Sequence, residues 1–365
     1  MLQGQAKFDY YKKMNSSHTL TIRRPDDWHV HLRDGAMLNV VAAHTARSFQ
    51  RAIIMPNLEL PVTTRALATQ YRQRILAALP EDSNFTPLMT CYLTDETDPQ
   101  EIRHGFNEDV FTAVKFYPAG STTNSASGVT NVSKIYGVLE VMQDLGMPLL
   151  VHGEVTDCDI DIFDREEAYI DQILIPMLRD FPALKVVFEH ISTSQAVEYV
   201  RSQGSRLGAT ITIHHLLIER NDMFKGGIRP HMYCLPVAKR HEHRQALLEA
   251  ATSGDTSFFL GTDSAPHSIS AKESACGCAG IFSAPVAIEL YAQVFDQVDS
   301  LDKLEAFSSL NGPAFYGLPV NEETITLVRK DCLIPQYIQV DGKTAISPFM
   351  AGKTLGWSML PSGHR

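Results

Sequence analysis

Apolar residues recur along this chain in two alternating rhythms: short runs of four to eight, and longer stretches with apolar positions three and four apart. The short runs predict strands and the longer ones helices. Structure is expected from Leu20, with a first strand ending near His31. Met37 to Phe49 then carries Leu38, Val41, Ala42, Ala46 and Phe49 at helical spacing. Further strands are predicted at 51–55, 85–93, 111–117, 148–152, 185–190, 206–213 and 257–261. Helices are predicted at 64–79, 132–145, 165–181, 194–202 and 244–252, and 95–106 reads as helix or loop. About eight such strand–helix units over roughly 250 residues predict a parallel (β/α)8 barrel, the TIM barrel.

Barrel enzymes carry their working residues at the C-terminal ends of the strands. Here those ends read His29 and His31, Asn57, Lys115, His152, His190 and Asp263. His29 and His31 stand two apart, which puts both on one face of a strand. Alone, each histidine reads more readily as a hydrogen-bonded core residue, and Lys115 as a lysine reaching for solvent. At matching positions on successive units, the set reads instead as a metal site for a borderline cation such as zinc. Lys115 lies in the apolar run Thr112–Tyr117, so burial should lower its pKa and expose a neutral amine. Such an amine can add carbon dioxide, and the resulting carbamate has two oxygens with which to bridge two cations. A carboxylate at Asp263, beside two metals sharing a hydroxide, can take that proton and pass it to a leaving nitrogen. This is hydrolysis of a C–N amide bond, or its reverse. Arg33, Asn57 and His267 offer donors suited to a substrate carboxylate.

Other candidates carry less. His241 and His243 lie in a charged run entering a helix, where residues two apart diverge. His214 and His215 are adjacent, point to opposite faces and receive no role. Cys276-Gly277-Cys278 has no partner pair at zinc-binding spacing and reads as a Gly-bent loop. Residues 118–130 (PAGSTTNSASGVT) predict a mobile loop.

The 365 residues are 44% hydrophobic, enough for a large core, and 32 basic against 42 acidic residues leave a net charge of −10. That balance argues against a nucleic-acid or anionic-membrane partner. The absence of a signal-like start or a long apolar run, with six scattered cysteines, predicts a reduced, cytoplasmic setting. Three parts are expected: a flexible N-terminal extension at 1–18, a barrel at 19–330, and a C-terminal extension at 331–365 packed on it.

The runs Asp27–Gly35, Met55–Asn57, Val114–Pro118, Val151–Glu154, Phe188–His190 and Gly261–His267, with Lys272, resemble the dihydroorotase family, in its short bacterial type within the amidohydrolase superfamily. The likeness covers about residues 19 to 360. It implies zinc-dependent, reversible cyclisation of N-carbamoyl-L-aspartate to (S)-dihydroorotate and water, the third step of pyrimidine (UMP) synthesis. His29 and His31 would bind one Zn2+ and His152 and His190 the other. Carbamylated Lys115 would bridge them, with Asp263 as ligand and general acid/base. Arg33, Asn57 and His267 would hold the substrate carboxylate. Further substrate contacts are implied at His31, His152, Leu235 and Ala279, with Thr122 and Thr123 on a closing loop, in a homodimer. The rival readings are another cyclic amidase, hydantoinase- or dihydropyrimidinase-like, and a catalytically dead scaffold. The first lacks the Arg33/Asn57 clamp; the second would be expected to have lost ligands.

Overall fold

The computed structural model describes residues 19–361; the extension expected at 1–18 lies outside them. Thirteen strands run in chain order: β1 Thr19–Arg23, β2 Asp26–Val30, β3 Arg51–Ile54, β4 Thr86–Tyr92, β5 Ala113–Phe116, β6 Leu149–His152, β7 Val186–Glu189, β8 Leu207–Ile211, β9 Phe258–Leu260, β10 Thr324–Leu333, β11 Ile338–Gln339, β12 Ala345–Ile346 and β13 Thr354–Met359. Strands β2 to β9 form one parallel sheet in sequence order. Helices between them cover its outside, as the predicted barrel requires.

The predicted first strand is two strands. Arg24 and Pro25 interrupt it, and β1 leaves the barrel to pair antiparallel with β10, which pairs in turn with β13. The division drawn at 330/331 therefore falls inside β10. The segment 19–23, though next to the barrel in sequence, belongs to a sheet shared with the chain's end.

Closure of the ring rests on the seam between β2 and β9. His31 N donates to Ser264 O at 3.0 Å, and Asp263 N to His29 O at 2.9 Å. Beneath these, the wholly buried carboxylate of Asp27 accepts from Thr262 N at 2.8 Å and from Thr262 Oγ1 at 2.6 Å. One acidic side chain thereby joins the first and last barrel strands. Burial raises its pKa to about 7, against the lowering pull of the Thr262 hydrogen bonds.

Inside the ring the two-residue period of strands sorts the side chains by height. Trp28, Ile53, Ala113, Leu150, Val187 and Phe259 form an apolar layer, closed from below by Phe315, Tyr316 and Leu318. Trp28 stacks on Tyr316 with ring centroids 4.3 Å apart. Two residues further along five of these strands stand Met55, Lys115, His152, Glu189 and Gly261. Gly261 leaves room there: a Cβ would lie 2.7 Å from Thr210 Cβ. The next step brings Asn57, Tyr117, Glu154 and Asp263 to the rim.

Because Thr262 supplies the hydroxyl of the seam, Thr262→Val should lower the unfolding free energy by about 1–3 kcal/mol in urea titrations. An unchanged midpoint would mean that this bond contributes nothing to closure.

Candidate active site

The rim brings together the residues expected of it. His29 Nε2, His31 Nε2 and Asp263 Oδ1 converge: His29 to His31 is 3.3 Å, His29 to Asp263 3.3 Å and His31 to Asp263 3.1 Å. The imidazoles form a continuous row, with centroids 5.2 Å apart for His31 and His29, 4.9 Å for His29 and His190, and 4.9 Å for His190 and His152. All four rings, Asp263 and Lys115 are buried. Lys115 contacts the carboxylate of Glu189, whose other oxygen lies 2.9 Å from His29 Nδ1 without hydrogen-bond alignment. Lys115 is thereby linked through Glu189 to the imidazole row.

One ligand candidate reaches the rim by breaking strand phase. Alternation points Glu189, not His190, into the barrel. His190 follows at φ +43°, and that left-handed turn brings its ring beside His29 and His152. Asp263 at φ +43° and Arg33 at φ +60° also take left-handed backbone, Asp263 while keeping the two-residue phase of Phe259 and Gly261. Left-handed backbone at a non-glycine residue costs roughly 1–3 kcal/mol, and such strain concentrates at working sites. Their neighbours hold two of these turns in place: His190 N donates to Thr210 Oγ1 at 2.7 Å, and Tyr71 Oη donates to Arg33 O at 2.7 Å.

The residues fit a metal. Burial pulls the pKa of His29 down to about 3 and lowers those of His31 and His190, so the rings are neutral, the form that ligates. Burial likewise lowers that of Lys115 well below its ordinary value, with Asp263 opposing, which favours a free amine. His29 Nδ1 and His190 Nδ1 have no hydrogen-bond partner among the described residues although buried. The 3.1–3.3 Å separations of the His29, His31 and Asp263 donors match the roughly 3.4 Å edge of a tetrahedron with zinc-length bonds. A nitrogen–oxygen donor set of this kind suits zinc and its neighbours.

On the substrate side, Arg33, Asn57, Thr122, Thr123, Leu235 and Ala279 line one enclosed pocket with the histidines and Asp263. His267 stands beside it, its Nε2 2.9 Å from an Arg33 amine and 3.0 Å from Ala279 O. Burial brings its pKa down to about 3, so the clamp's positive charge is Arg33. Loop 118–130 is folded over the pocket. Asn57 Nδ2 donates to Thr123 O at 3.0 Å, Asn124 Nδ2 to Asn57 O at 3.1 Å, and Tyr92 Oη to Asn124 O at 3.2 Å. Its small polar residues bond within the loop, Ser125 Oγ donating to Thr122 O at 2.6 Å.

Three contributors escaped the sequence reading. Glu189 supports Lys115; Glu154 Oε2 lies 3.0 Å from His152 Nε2, which leaves Nδ1 of that ring for a metal; Asp27 ties the seam. The period-two phase signalled the first two, since Glu189 follows Val187 and Glu154 follows His152 on the inward face. Asp27 had no local signal. Two of the histidines set aside are held by hydrogen bonds. His243 Nδ1 accepts from Ser194 N at 3.1 Å. His215 is engaged at both nitrogens, by Thr212 and by the carbonyl of Pro236. Gly277 turns its loop at φ +48°, and all six cysteines are free thiols.

An eight-stranded parallel ring with histidines, lysine and aspartate on its C-terminal rim defines the amidohydrolase class of barrel, and residues 26–327 match the Amidohydrolase family. The chain is 62% identical over 343 residues to the dihydroorotase of Synechococcus sp. (strain CC9605), covering 94% of this chain and 97% of that one. The crystal structure of the Campylobacter jejuni dihydroorotase superposes with a TM-score of 0.86 at 39% identity, covering 94% of this chain and 98% of that one. That of the Saccharomyces cerevisiae dihydroorotase with 5-fluoroorotic acid gives 0.88 at 34% identity, covering 95% and 100%. The chain belongs to the amidohydrolase family and, within it, to the dihydroorotases. No helix among the described residues is long and apolar enough to cross a membrane.

Since Asn124 fastens the loop to Asn57, Asn124→Ala should speed hydrogen exchange of amides 119–129 by about fivefold, the loss of roughly 1 kcal/mol. Unchanged exchange would show that other contacts hold the loop.

Proposed function

We propose that this enzyme interconverts N-carbamoyl-L-aspartate and (S)-dihydroorotate, the ring-closing step of pyrimidine (UMP) synthesis, with His29, His31, Lys115, His152, His190 and Asp263 holding two zinc ions. The observation that carries the reading is a row of four buried imidazoles leading from Asp263 to His152, opposite an arginine clamp within the same enclosed rim. Lys115 serves this site as a carbamate, whose two oxygens match two cations. When bound, the cations supply Lewis acidity, polarising the amide carbonyl and making water acidic enough to attack it near neutral pH.

The chain's own residues do the rest. Arg33, with Asn57 and the neutral ring of His267, receives the substrate carboxylate, and the backbones of Leu235 and Ala279 meet the polar edge of the ring. His31 and His152 border the bound ring as well. Asp263 takes the proton released as water adds to the carbonyl and delivers it to the departing ring nitrogen. In ring closure the same carboxyl works in reverse. Thr122 and Thr123, on the closed loop, keep bulk water out. The free thiols accord with a cytoplasmic setting, and the family resemblance supports a homodimer.

Turnover of (S)-dihydroorotate should far exceed that of dihydrouracil or hydantoin in parallel assays, because only the first carries the carboxylate that Arg33 binds. Preference for a ring without a carboxylate would overturn the substrate and favour a hydantoinase-like activity. Asp263→Asn should retain metal while kcat falls by about 10²–10⁴, the usual contribution of a general acid/base. Near-normal turnover would remove that role.

A further inference from the structure

Lys272, part of the sequence resemblance but without a role in the chemistry above, is a buried lysine, 3% exposed. Its ammonium has three donors, and all three are spent on backbone carbonyls: Tyr233 O at 2.8 Å, Cys278 O at 2.7 Å and Gly280 O at 2.7 Å. These carbonyls belong to two segments, 233–235 and 278–280, which supply Leu235 and Ala279 to the pocket wall. A direct bond joins the segments as well, Gly280 N donating to Tyr233 O at 3.0 Å.

The packing around this cation leaves little freedom. Gly280 sits at φ +145°, and a Cβ there would lie 2.6 Å from Ala265 O. Ala279, held between the two carbonyls bound by Lys272, places its own oxygen 3.0 Å from His267 Nε2, and that nitrogen lies 2.9 Å from Arg33. The contacts thus run from the ammonium through the 278–280 backbone to His267 and Arg33. An ammonium is the one side-chain group with three donors and no acceptor, and burying one is tolerable only when every donor is used.

We propose that Lys272 is a positioning residue for the substrate: its ammonium clasps segments 233–235 and 278–280 so that the Leu235 and Ala279 backbones and the His267 ring stand where a ring carboxylate and its adjoining amide must dock. The identity of the docked ring rests on the dihydroorotase reading; the clasp itself does not. Burial brings the Lys272 pKa down to about 8, with Cys234 and Cys278 opposing and Arg33 reinforcing, which leaves it mostly charged at neutral pH.

Lys272→Met keeps the volume and removes all three donors; Lys272→Gln keeps a donor group without the charge and serves should the first variant not fold. In the metal-loaded enzyme, amides 278–281 should exchange with solvent about fivefold faster in Lys272→Met, with Lys272→Gln between it and the wild type. Affinity for 5-fluoroorotate by calorimetry should fall about tenfold. The KM for (S)-dihydroorotate should rise by a similar factor while kcat stays within about threefold, with zinc content per chain unchanged. Unaltered exchange at 278–281, or a loss confined to kcat, would overturn the positioning role. Faster exchange in the variants of a wild type that fails to bind 5-fluoroorotate would uphold the clasp and refute the substrate.

Discussion

An amine is costly to bury, and the account of this enzyme turns on one that is buried completely. Lys115 stands at the floor of the rim, shielded on every side by the strands of the ring, with Glu189 and the Tyr117 ring against it. In water the same group would be an ammonium; in the barrel burial favours the free amine. That neutral nitrogen is the starting point for the proposed carbamate, which would make a ligand of a lysine standing among buried imidazoles, Asp263 and Glu189. The apolar layer of Trp28, Ile53, Ala113, Leu150, Val187 and Phe259 beneath it keeps the floor dry. Folding and chemistry meet there, since the packing that closes the barrel also sets the lysine's protonation.

Strand geometry explains the remaining order. One inward face per strand, read upward, passes from apolar filling to chemistry in steps of two residues, so Ala113, Lys115 and Tyr117 share a line, as do Leu150, His152 and Glu154. The departure from that phase is as informative as the rule. His190 takes positive φ and so reaches the rim although Glu189 holds the inward position beside it, and Asp263 and Arg33 take positive φ at the rim as well. The seam adds a second economy: the hydrogen bonds that close β2 onto β9 involve His29, His31 and Asp263 themselves, so their backbones are fixed by barrel closure.

Much of this was legible in the sequence. Seven of the barrel strands and the gathering of His29, His31, Asn57, Lys115, His152, His190 and Asp263 at one rim follow from periodicity and from the motifs at the strand ends. What escaped was non-local. The split of the segment 20–31 depends on β10, about 300 residues away, which captures Thr19–Arg23 for another sheet. The seam bond of Asp27 depends on Thr262, and Lys272 on carbonyls from two separate loops. Loop 118–130 was expected to be mobile from its composition, whereas its fastening to Asn57 and Tyr92 appears only in the fold.

The proposed carbamate on Lys115 is the point on which chemistry and architecture would jointly depend, and isotopic labelling addresses it directly. Enzyme loaded with Zn2+ in the presence of 13C-bicarbonate should show one carbamate carbon per chain by 13C NMR, and Lys115→Met should show none. Two tightly bound zinc ions in the wild type without any labelled carbon would contradict the account, because the cations would then be held together by something other than a carbon-dioxide-modified lysine.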